Sequence, residues 1–381
     1  MRTHTIRKGT LFSILVIGFI MAICIPVSAR ADTVKTYDFT PTDNASYNAR
    51  TLKDMVEGDA EKVINIEPGS SFHINATIIP GSNTTINAVG STIYTSDHGN
   101  AIFTTPTKTN YGSISNLKVI GGTWRSDEEG GRRGSMMVVS HGNNITFDGV
   151  DIQANITGHV FEIIACKNVT IKNCRITTLG KAKKSCIESA VQIDIATKAS
   201  APKLVDYGSQ FVKGQTCKNV TITNNYISGA SGVRVEKTNS EHNKYINKYH
   251  YNVTVKGNTM IGTNGEGLSL YNTCGTYISG NKVYSKGSKT SDSHTIEIHV
   301  DNAGKAPAAL SKSKVIVTGN YVKGGRNGIF VFRHCDKKYG SVTITNNKAY
   351  CKRGKANAII KSEVKKSAKK VTIKGNKTYK W

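Results

Sequence analysis

The chain has 381 residues, 51 Lys and Arg against 26 Asp and Glu, a net charge of +25 and eight cysteines. Few, scattered cysteines in so long a chain exclude a disulfide scaffold, and the lack of paired CxxC or HExxH motifs excludes the familiar zinc sites. A strongly basic protein expects acidic company: uronic-acid polysaccharide, teichoic acid, anionic membrane or nucleic acid.

The first element is a leader. Arg2, Arg7 and Lys8 precede a mostly apolar run over 11–27, and Ala29-Arg30-Ala31 supplies small residues at signal-peptidase spacing, predicting a secretory signal peptide over 1–31 cut before Asp32. An uncleaved N-terminal anchor is the alternative. No later segment is long and apolar enough to span a membrane. Cleavage removes four basic residues and no acidic one, leaving 350 residues with a net charge of +21. It also leaves seven cysteines, which cannot all pair within the chain. Residues 32–83 form an N-terminal capping region, with a short amphipathic helix expected near 52–63.

From residue 84 a phrase recurs: a short β-branched strand, a Gly or Asn, and another short strand. Examples are NITFDGVDI (144–152), NVTIKNCRI (168–176), NVTITNNYI (219–227), NVTVKGNTM (252–260) and VTIKGNKTY (371–379). The hinges are Gly149, Asn173, Asn224, Gly257, Gly280, Gly319, Asn346 and Gly375, with Gly90 and Gly121 fainter members upstream. Their spacings run 31, 28, 24, 51, 33, 23, 39, 27 and 29, the period of a solenoid with loop insertions. Gly and Asn most readily adopt positive φ, so each hinge is a tight bend between strands. The following position is often Asn (Asn225, Asn258, Asn281, Asn320, Asn347, Asn376), and stacked asparagines can hydrogen-bond along a column of bends. The recurring NVT triplets match glycosylation acceptors, but the hinge phrase itself produces them. The expected fold is all-β, a right-handed parallel β-helix over 84–381 with about ten coils of three short strands. A sandwich would not explain a fixed hinge phrase.

Each coil ends in a third strand: AVQIDI (190–195), GVRVE (232–236), GLSLY (267–271), TIEIH (295–299) and GIFVF (328–332). Alternation sends Val, Ile and Leu inward and two columns outward. One holds Glu162, Gln192, Arg234, Ser269, Glu297 and Phe330; the other holds Asp194, Glu236, Tyr271, His299 and Phe332. Carboxylates beside flat aromatics suit a sugar, whose CH groups lie on rings while its hydroxyls meet charged acceptors. Inserts at 196–216 and 238–251 flank this face and could wall a cleft.

The candidate catalytic residues are Asp194, Glu236, Glu162 and Glu188; the candidate substrate-binding residues are Arg234, Gln192, Tyr271, Glu297, His299, His159, Phe330 and Phe332. Neighbouring coils place Asp194 and Glu236 about 5 Å apart, the short separation of retaining carboxylates, while the diagonal pair Glu162 and Asp194 reaches the longer inverting separation. The bland alternative is a surface ladder in which Asp194 and Glu236 pair with Arg234 and contribute little. His299 could be an exposed strand histidine and His159 a turn histidine.

The phrases GGTW (121–124), GHVFEIIACKNVTIKNC (158–174) and the NVTI coils resemble the pectate-lyase-like, polygalacturonase-like β-helix superfamily over most of the mature chain. The resemblance implies the scaffold and carbohydrate binding along one face. The polygalacturonase Asp-Asp pair, GHG and RIK segments are missing, as is the pectate-lyase WxDH; QID (192–194) is a distant counterpart of NTD. No family catalytic residue therefore carries over. The expectation is a secreted, monomeric protein that cleaves an acidic polysaccharide by hydrolysis or elimination, alternatively a non-catalytic binder of cell-wall or surface glycans. No cofactor is required by the sequence; calcium enters only if the chemistry is that of a lyase, where a metal often holds the substrate carboxylate. Residues 352–380 carry 11 Lys or Arg against Glu363 alone. Such a run is a solvated face, or a dock for anionic wall polymer. Nucleic acid is disfavoured by secretion and by the lack of a reader motif.

Overall fold

The computed structural model describes residues 34–95, 100–126, 134–154, 158–179, 189–235, 247–287, 294–300, 306–334 and 336–381. The expected signal peptide or anchor, Glu188, Glu236 and most of the 238–251 insert lie outside them.

Every hinge predicted from the repeat adopts positive φ: Gly149, Asn173, Asn224, Gly257, Gly280, Gly319, Asn346 and Gly375 span 56–68°. Each bend hands the chain from one sheet to the next, so successive coils stack instead of forming hairpins. The result is three all-parallel sheets of twelve, eleven and eight strands among the described residues, here called A, B and C. Register is kept from coil to coil; Val169, Val220, Val253, Thr276, Val315, Val342 and Val371 follow one another in sheet A. The fold is a right-handed parallel β-helix.

Inside the coils, the alternating Val, Ile and Leu positions line one continuous core. Val191, Ile193, Val233, Val235, Leu268, Leu270, Ile296, Ile298, Ile329 and Val331 all point into it and are fully buried. The asparagines after the hinges form the expected ladder. Asn258 N–H donates to Asn281 Oδ1, Asn281 N–H to Asn320 Oδ1, and Asn320 N–H to Asn347 Oδ1, each at 2.9 Å.

Sheet A already begins at Lys35–Phe39, which pairs with Lys62–Ile66. Between these strands lies helix α1 (Ala45–Val56), capped by the Asn44 side chain accepting from Tyr47 N–H. It buries Ala49, Leu52 and Val56, and starts and ends seven residues earlier than the amphipathic stretch near 52–63 expected from sequence. The cap explains the shift: Asn44 fixes the start, and the apolar residues after Val56 belong to the strand Lys62–Ile66. Near the other end, helix α2 (Lys361–Ser367) buries Val364.

Candidate functional site

Sheet C carries the outward columns. Its registers place Phe103, Val138, Glu162, Gln192, Arg234, Ser269, Glu297 and Phe330 in one line. Ser140, Ile164 and Asp194 share a second line, in which Tyr271, His299 and Phe332 follow further along. A third column, three residues upstream of the first, escaped the sequence reading. It holds Ser189 opposite Ser231 and His294 opposite Asn327, with Ser135, His159 and Glu266 at the equivalent step. Strict period-two alternation sends a residue three positions upstream to the inward face, so the alternation alone does not reveal this column.

The face is not a solvated surface. Glu162, Gln192, Asp194, Arg234, Glu266, Glu297 and His299 are each at most 8% exposed. Burial at this level calls for hydrogen-bond partners, and the third column supplies several of them. Ser135 Oγ donates to Glu162 Oε2 at 2.7 Å. Ser189 Oγ donates to Gln192 Oε1 at 2.7 Å, and Gln192 Nε2 donates to Asp194 Oδ1 at 2.6 Å. Having given its one proton to Gln192, Ser189 must accept from His159 Nδ1, 3.0 Å away. His159 is therefore the neutral Nδ1–H tautomer. Burial, which pushes its pKa down to about 4, agrees. A directed chain thus runs from His159 through Ser189 and Gln192 to Asp194.

Arg234 reaches Glu266 Oε2 at 3.3 Å, and Ser231 Oγ donates to the same oxygen at 3.2 Å. Glu266 precedes its strand in NGEGL (264–268), where the repeat phrase gives no hint of it. Further along, Tyr271 OH donates to Glu297 Oε1 at 3.2 Å, and His299 Nδ1 lies 3.6 Å from that oxygen. Burial first, then the Glu297 and Glu266 carboxylates, push the Tyr271 phenol far up, so it remains a donor. Rings continue the surface: His299 packs against Tyr271, Phe332 and His334 at 4.6–4.7 Å, and His294 stacks on Phe330 at 4.2 Å. His294 and His334 were not among the sequence candidates. His334 follows its strand by one residue, and His294 stands in the overlooked column.

The 196–216 insert does wall this face. It closes on itself through the Ala196–Gln215 bridge, and its two 3-10 turns, Pro202–Tyr207 and Ser209–Val212, set Leu204, Phe211 and Val212 against Phe103, Val138 and Ile164. Between wall and sheet lies a cavity of about 230 Å³, lined by Phe103, Ser135, Val138, His159, Glu162 and Lys203 among others. Lys203 Nζ donates to Asn100 Oδ1 at 2.7 Å and brings a cation to the rim.

The structure thus brings Glu162, Gln192, Asp194, His159 and Arg234 together beside or near the cavity. It sets Tyr271, Glu297, His299, Phe330 and Phe332 further along the same face. Glu188 and Glu236 lie outside the described residues. Among the described residues no cluster of three or more His, Cys, Asp or Glu could hold a metal ion.

No family model matches the chain, and no curated protein matches its sequence. Solved structures do. PfbA, a surface adhesin of Streptococcus pneumoniae, superposes with a TM-score of 0.52 at 15% identity over 83% of this chain and 86% of that one. A second structure of PfbA gives 0.51 at 14% identity over 87% and 91%. The mannuronan C-5 epimerase AlgE6 A-module of Azotobacter vinelandii is a looser match, at 0.42 and 14% identity over 85% and 81%. At these identities the likeness is one of fold, the parallel β-helix.

Proposed function

We propose that this protein binds an acidic polysaccharide along the outward face of sheet C and hydrolyses it, with Glu162 and Asp194 as the acid and base. The observation that carries this reading is the pair of buried carboxyls, each oriented by a side-chain donor, with Glu162 lining a walled cavity and aromatic rings further along the same face. Gln192 stands directly opposite Glu162, so Asp194 is its diagonal neighbour. Diagonal positions lie about 7–8 Å apart, within the range in which an inverting pair accommodates a water. Asp194, accepting an amide N–H, has the role of base; Glu162, on the cavity, protonates the leaving oxygen. Arg234 is held by Glu266, which suits a fixed cation facing a substrate carboxylate better than the proton acceptor that elimination would need. The expected leader supports a site of action outside the cell.

A second reading, glycan binding without turnover, draws support from the surface adhesin PfbA, which superposes with TM-scores of 0.52 and 0.51. The deciding experiment is a panel of uronate and neutral polysaccharides, with and without calcium, assayed with wild type, E162Q and D194N. Hydrolysis with inversion at the anomeric carbon, slowed by about 10²–10⁴ in each variant while binding persists, is the expected result. Full activity in D194N would refute the site assignment. Binding with no turnover on any polymer would establish the second reading.

A further inference from the structure

A different face, the outward side of sheet B in its last coils, carries an unassigned pattern. The strands Lys282–Ser285, Tyr321–Gly324, Lys348–Cys351 and Lys377–Lys380 contain no acidic residue. Their registers set Lys282, Tyr321, Lys348 and Lys377 in one outward column and Tyr284, Lys323, Tyr350 and Tyr379 in the next. Every coil therefore presents one tyrosine and one lysine side by side. The rings form an unbroken row, with centroids 6.0 Å apart for Tyr284–Tyr321, 5.4 Å for Tyr321–Tyr350 and 4.7 Å for Tyr350–Tyr379. Lys348 Nζ lies 5.5 and 5.7 Å from the Tyr350 and Tyr379 rings. At the chain's end Trp381, 42% exposed, takes Lys323 and Lys352 over its ring at 4.2 and 4.5 Å.

We infer that this strip is a second polysaccharide-binding site, taking a linear uronate polymer laid along the helix axis. A solvated face needs only lysines, whereas this one repeats a phenol beside an ammonium at every coil step of about 4.8 Å. The ammonium groups match carboxylates; the phenols, which both donate and accept, match sugar hydroxyls. Burial, then the neighbouring Tyr321, raises the Tyr284 pKa and keeps that phenol protonated. Single-stranded nucleic acid fits less well. It needs open ring faces on which bases stack, and Tyr350 and Tyr379 already cover each other, their planes only 16° apart. A polyphosphate chain would leave the phenols' accepting side unused. The strip lies on a different sheet from Glu162 and Asp194 and is independent of the catalytic reading.

The test measures binding of full-length protein to polygalacturonate, polyphosphate, mixed-sequence single-stranded DNA and neutral dextran. The variants are K323Q/K348Q/K377Q, Y350F/Y379F, E162Q/D194N and the strip and sheet C changes combined. The strip substitutions keep side-chain bulk, and matching circular-dichroism melts establish folding. Loss of three charge contacts should weaken polygalacturonate binding about tenfold, more at low salt, and by the same factor with or without E162Q/D194N. The phenylalanine pair should weaken it several-fold. Unchanged polygalacturonate affinity in the strip variants of both backgrounds overturns the site. DNA or polyphosphate binding as tightly as polygalacturonate and displacing it overturns the choice of partner. A change in E162Q/D194N alone bears only on sheet C.

Discussion

His141 is fully buried at φ 50°, and among the described residues neither of its ring nitrogens has a hydrogen-bond partner. Burial pushes its pKa from 6.5 down to about 4. The unfolded chain therefore binds the extra proton first, and stability rises with pH across this window. His141 imposes no penalty above pH 6.5, and stability is lost as pH falls from there to about 4. At about 1.4 kcal/mol per pH unit, that loss is on the order of 3 kcal/mol. His141 also packs edge-on against Phe211 of the wall, 5.7 Å between ring centres. His141→Asn keeps a residue that tolerates positive φ and removes the titration. Urea midpoints measured from pH 7 to 4 should fall less steeply in the variant. Part of the slope should persist, because buried His159, also near 4, titrates in the same window. Equal slopes in the two proteins would show that the fold accommodates a charged imidazole at position 141.

Among elements, the inner asparagine ladder shows most directly why the repeat looks as it does. Asn281 accepts from the Asn258 backbone and side chain at 2.9 and 3.0 Å, and its own amide donates to Val255 O and Asn320 Oδ1, both at 2.9 Å. Asn281→Ala would leave a buried N–H and a buried carbonyl unpaired, costing about 2–4 kcal/mol. Asn281→Asp, which keeps the acceptor, should cost less when both are compared by urea denaturation; equal losses would mean that the ladder's donors dominate. Hinge and ladder were legible because positive φ and stacked amides are demands each coil makes on its own few residues. A second column was not. Asn116, Asn144, Asn168, Asn219 and Asn252 also have positive φ, and each donates its amide to an asparagine of the coil upstream. Four of these open the N-x-T triplets, so that motif follows from stacking. The site divides in the same way. Glu162, Gln192 and Arg234 followed from strand alternation. Glu266, which holds Arg234, and Lys203, which edges the cavity, come from segments outside the hinge phrase, and only the packing of coils and insert brings them in.

For the molecule as a whole, stability follows from each coil touching only its neighbours. The N-terminal end is covered: α1 buries Leu52 and Val56, and Asn48 Nδ2 donates to His73 O at 3.1 Å. At the C-terminal end, Val371 and Ile373 of the strand Ala368–Lys374 are only partly buried, although the equivalent Val342 and Ile344 one coil earlier are fully so. The same substitution should therefore have different consequences at the two places. Ile222→Ala, in a fully buried central coil, removes core volume between two stacked neighbours and should lower global stability by about 2–5 kcal/mol. Ile373→Ala should leave the urea midpoint nearly unchanged. It should instead speed amide exchange in 368–381, because the last coil opens locally before the rest. Tyr379 and Trp381 ride on that coil, so Ile373→Ala should also weaken polygalacturonate binding at the strip while leaving sheet C unaffected. Equal shifts of the urea midpoint in the two variants would mean that the solenoid unfolds as one unit and that its basic end is as rigid as its centre.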